Sequence, residues 1–185
     1  IPQMMKAGLA PEWIEQVAIM IADELRHGRQ CAAVVHALGG EAVAELPVLA
    51  DVPTHDDAPP LEAVLRNIMT ISCLHETVAV ALIQGEHQAV GPPAMQETLR
   101  TILSDEVQHA RFGWMVLREL APHLPEDLKR RLAEYLVIAF HHLREHELSH
   151  LPVGHTPSEE EEQVGVCDGK DARTLFFDAV NTVII

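Results

Sequence analysis

Ser104-Asp105-Glu106-Val107-Gln108-His109-Ala110-Arg111 lies in mid-course of one amphipathic stretch, and Ala22-Asp23-Glu24-Leu25-Arg26-His27-Gly28-Arg29 in mid-course of another. Both contain Asp-Glu-(Leu/Val)-x-His-x-Arg, the second copy following the first by 82 positions. On a helix, residues i and i+3 sit about one turn apart on one face, so each copy offers a carboxylate and an imidazole to a single point in space. A lone Glu-x-x-His carries little weight. Two copies with shared neighbours, each central to a long helix, point to a common use.

Working outward, Trp13, Ile14, Val17, Ile21, Leu25, Ala32, Val35 and Leu38 recur mostly three and four apart after Pro11, which predicts a helix over about 11–38, closed by Gly39-Gly40. Pro47, Pro53, Pro59 and Pro60, around His55-Asp56-Asp57, read as a connector. A second helix is predicted over about 61–90, ended by Gly91-Pro92-Pro93, and a third over about 93–120, stopping near Pro122. A fourth, about 125–150, ends at Leu151-Pro152-Val153-Gly154. Glu159-Glu160-Glu161-Glu162 falls in a stretch, 155–170, that reads as a solvated loop, and a last helix starts near Asp171 and runs to Ile185. Almost nothing alternates as a strand does, and aromatic residues make up only 4%. The expected fold is therefore all-α, an antiparallel helical bundle. Residues 1–150 are assigned to the bundle with its site, and 151–185 to an acidic loop and C-terminal helix of the same domain.

The 185 residues suffice for one domain with a real core. A net charge of −15 argues against binding nucleic-acid backbones. Three cysteines without paired spacing point to reduced thiols and a cytoplasmic location. No run of about 20 apolar residues and no charged start before an apolar stretch is visible, so neither a membrane span nor a signal peptide is expected. Twelve histidines beside 28 acidic residues make a composition rich in metal ligands.

Helical bundles that hold two iron ions take a Glu from each of two helices and a Glu-x-x-His from each of two others. Glu76, mid-way along the 61–90 helix and 30 residues before Glu106, is the expected third carboxylate. The same offset counted back from Glu24 lands about six residues before Ile1. The chain opens without an initiator Met, so a first bundle helix carrying that Glu is expected upstream. Glu12, Glu15 and Glu86 lie too far along or around their helices to substitute. Asp23 and Asp105, one residue before each Glu, are placed to hold the outer ring nitrogen of an imidazole on the other helix, Asp23 with His109 and Asp105 with His27. Arg26, Arg29 and Arg111 are candidates to balance the carboxylates or to face solvent.

These residues resemble the ferritin-like di-iron carboxylate superfamily over about residues 11–120, and Asp23-Glu24-Leu25-Arg26-His27 looks like the Asp-Glu-x-Arg-His signature of bacterial multicomponent monooxygenases. The resemblance implies a ferritin-like four-helix bundle with extra C-terminal helices, in which Glu24, His27, Glu76, Glu106 and His109 ligate two irons, or a manganese–iron pair. It also implies a role for Cys31, the candidate catalytic thiol, at the position where those monooxygenases have a Cys and ribonucleotide reductase small subunits the radical Tyr. The hydroxyl residue that related oxygenases carry about one turn after the third Glu is missing, since Ala79 and Val80 stand there. No Cys-x-x-Cys pair is present, so the rubredoxin-like module of rubrerythrins is not fused to this stretch and an external electron donor is required.

Such a site would use O2 as co-substrate to oxidise a small, mostly apolar molecule by hydroxylation, N-oxygenation or desaturation. Val34, Val35, Ile68, Met69, Val80, Ile83, Ile102, Leu103 and Phe112 are the expected walls of its pocket. Bacterioferritins look similar in ligand set, which makes a ferroxidase or iron store the alternative, and a non-enzymatic helical interaction protein a third. The helices after residue 120 argue against a storage shell. Cys73 reads as a core filler or pocket residue and Trp114 as packing or an electron route. His142, His146 and His150, four apart on one helix, read as surface histidines or a second metal site. A homodimer is the base-rate expectation for a soluble protein.

Overall fold

The computed structural model describes residues 1–43, 53–151 and 153–184; Pro47, Pro152 and Ile185, used above as punctuation, lie outside them. All regular structure among the described residues is helical: α1 (Pro2–Lys6), α2 (Pro11–Ala37), α3 (Pro60–Ile68), a π-helical segment (Met69–His75), α4 (Glu76–Ala89), α5 (Pro93–Leu120), a 3-10 turn (Ala121–His123), α6 (Glu126–His150), α7 (Glu159–Gln163) and α8 (Gly169–Ile184). The chain divides into two compact units, Ile1–Val64 and Leu65–Ile185.

In the first unit, α2 starts on Pro11, whose missing N–H costs nothing in a first turn, and closes at Leu38 ahead of Gly39, whose φ of +82° suits glycine. The short α1 was not expected. It is tied to the connector by Gln3, whose side-chain amide donates to the Thr54 carbonyl at 2.8 Å. Ile19, Ile21, Leu25 and Leu38 of α2 are exposed, and His27 is the residue of this helix that is buried.

The second unit is organised around the π-helical segment and α4. The π segment packs against α5 and α6, and α4 against α5 and α8. Leu74, Val78, Ala139, Leu143, Phe176 and Ala179 form the core that these helices share. A methyl group at Gly113 of α5 would fall 2.8 Å from Cys73 Sγ and from Ser72 Cβ, so glycine is what lets α5 lie directly on the π segment. The π segment itself is a finding. Apolar spacing predicts one continuous α-helix over 61–90, yet seven residues adopt the wider turn that recurs at functional sites.

Two ends of the second unit have clear causes. Arg173 of α8 donates to the carbonyls of Leu148 (3.0 Å) and Leu151 (2.7 and 3.0 Å), satisfying groups that the last turn of α6 leaves without partners. The acidic run expected to be a loop is instead helical in α7. Ser158 accepts from the Glu161 backbone N–H while the Glu161 carboxylate accepts from the Ser158 N–H, a capping box, and four acidic residues in a first turn favour the positive end of the helix dipole.

The stretch Pro60–Ala89 is, by length and composition alone, apolar enough to cross a membrane: its most apolar 18-residue window has a mean hydropathy of 1.4 and is 33% buried. Thr70, Ser72, His75, Glu76 and Thr77 interrupt its apolar residues.

Candidate metal centre

Three of the expected ligands come together in the second unit. Oxygen atoms of Glu76 and Glu106 and a ring nitrogen of His109 all lie within 4.8 Å of one another. Glu76 is the first residue of α4, immediately after the π segment, while Glu106 and His109 are one turn apart in the middle of α5. His109 Nδ1 lies 3.2 Å from Glu106 Oε2. Both side chains are almost fully enclosed, His109 at 1% and Glu106 at 9% exposure. Burying a carboxylate and an imidazole costs several kcal/mol, on the order of what a bound cation or a hydrogen-bonded partner must return. Two carboxylates and an imidazole are the hard and borderline donors that iron, manganese and zinc accept, so the residues fit the expected metal.

Glu24 and His27 sit one turn apart in α2 of the first unit, with His27 Nδ1 3.7 Å from Glu24 Oε2. The imidazole is buried and the carboxylate is half exposed. Asp23 forms an ion pair with Arg26 on its own helix at 2.8 Å. Arg29 and Arg111 are exposed, and Asp105 is partly buried. Cys31 is exposed.

The second unit also holds a cavity of about 210 Å³, lined by Met69, Cys73, Leu74, Trp114, Leu117, Leu136 and Phe140. Of the nine wall residues expected from sequence, only Met69 lines it. Ile68, Ile102 and Phe112 are buried core, and the remainder are half-buried or exposed. The missed walls Leu136 and Phe140 belong to α6, which sequence spacing alone does not connect to the ligands. Cys73, three residues before Glu76, is 1% exposed, and burial pushes its thiol up to about 12, so it is a neutral, apolar wall at physiological pH.

A hydroxyl also stands near the third carboxylate, although not where related oxygenases carry theirs. Thr77, the residue after Glu76, donates from Oγ1 to the Cys73 carbonyl, and the same oxygen accepts from Trp114 Nε1 at 3.2 Å. That bond fixes the Trp114 indole against the first turn of α4. Its signal in sequence was a Glu-Thr pair, which has no meaning until the helix that supplies the indole is known.

Comparison of the chain with protein-family models, with curated proteins and with solved structures finds no match.

Proposed function

We propose that this chain is a non-haem di-iron oxidoreductase of the ferritin-like kind, with Glu24, His27, Glu76, Glu106 and His109 as ligands. The observation that carries the reading is the convergence of the half-buried Glu76 with the buried Glu106 and His109. The Asp-Glu-x-x-His repeat in the sequence is what adds Glu24 and His27. A pair of irons so held would supply two electrons to O2 and an oxidant for a substrate beside it.

The protein's own residues supply the surroundings. Cys73, Leu74, Leu136 and Phe140 offer a water-poor cavity of a volume suited to a small apolar molecule. The neutral thiol of Cys73 adds no charge to that wall. Thr77 and Trp114, joined by their hydrogen bond, keep one side of the cavity rigid. This cavity favours oxidation of an organic substrate over iron storage, which needs no such space. An external electron donor completes the reaction.

The test is an anaerobic Fe(II) titration of the full chain, counting tightly bound iron. Two irons per chain, lost in Glu106→Ala, are expected. One iron or none, unchanged by the substitution, would refute the reading. Excess Fe(II) in air then separates the two enzymatic forms: a single oxidation event that stops belongs to the substrate oxidase, and continued ferric mineral formation to the store.

A further inference from the structure

A second group of donors stands in the second unit, sharing no residue with the first, although His75 directly precedes Glu76. His75 closes the π segment, and His146 and Glu147 are consecutive in α6; one donor atom of each lies within 4.8 Å of the others. His75 Nδ1 is 3.5 Å from Glu147 Oε1. The His146 ring meets His75 edge-on, with centroids 5.3 Å apart, and meets His150, one turn further along α6, at 4.7 Å. We propose that His75, His146 and Glu147 form a mononuclear site for a divalent transition metal, Zn2+ by preference.

The donor chemistry narrows the metal to the divalent transition ions. Two imidazoles and one carboxylate suit zinc and its neighbours and do not suit calcium or magnesium, which demand mostly oxygen. Zinc bonds of about 2.0–2.2 Å require the three donor atoms to close to roughly 3.3 Å from one another, and His75 Nδ1 and Glu147 Oε1 already stand 3.5 Å apart. Three protein ligands leave a fourth position for water. Glu147 and His75 are largely shielded from solvent while His146 is exposed, so the group combines a sheltered anchor with an entry path. The chain's charge of −15 draws cations toward it.

Sequence reading grouped His146 with His142 and His150 because they share a helix face. The structure brings in His75 and Glu147 instead, from the contact between the π segment and α6. Those two elements also supply Cys73, Leu74, Leu136 and Phe140 to the apolar cavity. A metal that joins them would pin two walls of the cavity together, so binding should raise the melting temperature as well as occupy a site.

The experiment uses the metal-stripped full chain carrying Glu106→Gln, which disables the iron half-site and makes the outcome independent of the proposed function. Zn2+ alone is titrated in competition with a chromophoric chelator. One Zn2+ per chain is expected. His75→Gln and His146→Gln should each weaken it by more than about 100-fold, since even loss of a residue that merely orients a ligand costs about 10- to 100-fold. His141→Gln is the control, because that imidazole faces Glu145 at 3.2 Å instead, and it should leave binding unchanged. Substoichiometric zinc, zinc indifferent to His75→Gln, or zinc lost equally in the His141 control would each overturn the site in favour of scattered surface histidines. If Glu106→Gln fails to fold, the wild-type chain is used, and the expected readout is one Zn2+ per chain fewer in His146→Gln than in wild type; no difference overturns the proposal.

Discussion

α2 and α5 carry the same seven-residue pattern with different consequences. In both helices the Glu and His lie one turn apart and face each other, at 3.7 Å in α2 and 3.2 Å in α5, as the helical repeat dictates. Both imidazoles are buried, but the Glu24 side chain is 55% exposed and that of Glu106 only 9%. α5 also buries Ile102, Ala110, Phe112, Gly113 and Val116, whereas in α2 His27 is the buried residue. A motif specifies local pairing; desolvation comes from whatever packs on the helix, and only α5 lies against the π segment and α4 within its own unit.

The largest test of this contrast is metal retention. Glu106→Gln removes a buried donor from a preassembled trio and should abolish tight iron binding, while Glu24→Gln should leave one iron per chain. Colorimetric iron counts decide it, and equal loss in both variants would mean that the two motifs are equally formed. A second test uses two glycines. A methyl at Gly113 meets Cys73 and Ser72 at 2.8 Å, so Gly113→Ala should destabilise by about 1–3 kcal/mol through overpacking. Nothing lies within 4 Å of a methyl at Gly28, beside His27, so Gly28→Ala should stabilise by about 0.5–1 kcal/mol by helix propensity. Denaturant midpoints of opposite sign are expected; a neutral Gly113→Ala would show that α5 has room to retreat.

The smallest effect is electrostatic. Burial raises the Glu86 carboxyl above its ordinary 4.5. The folded chain thus holds this proton at a pH where the unfolded chain has lost it. That contribution to stability is fully present below pH 4.5 and is lost as pH rises through the folded value. Glu86→Gln should therefore gain stability relative to wild type as pH increases above 4.5, read as a widening gap in melting temperature. A gap that is constant with pH would place Glu86 in solvent.

The sequence made α2, α5 and α6 legible to within a residue or so at each end, because long apolar periods bounded by Pro and Gly leave little choice. The convergence of Glu76 with Glu106 and His109 was legible as well, from the 30-residue spacing between the two glutamates. The sequence concealed the features that depend on what touches what. Residues 69–75 have ordinary helical spacing, and their π geometry goes with the close approach of Gly113, a tertiary fact. The Thr77–Trp114 bond and the meeting of His75 with Glu147 join residues 37 and 72 positions apart, and the cavity walls on α6 likewise come from a distant helix, with no periodic signature. α7 was readable in principle: Ser158 and Glu161 spell a capping box, hidden by the habit of reading four glutamates as solvent-facing chain.

The Arg173 contacts have a consequence for the order in which the chain is made. The carbonyls at the end of α6 receive their donors from a residue 22 to 25 positions later. At about 5–20 residues per second, a ribosome leaves that helix end open to water for on the order of one to five seconds after Leu151 is joined. During that interval the core that awaits Phe176 is open too, so this part of the nascent chain is most vulnerable just before α8 emerges.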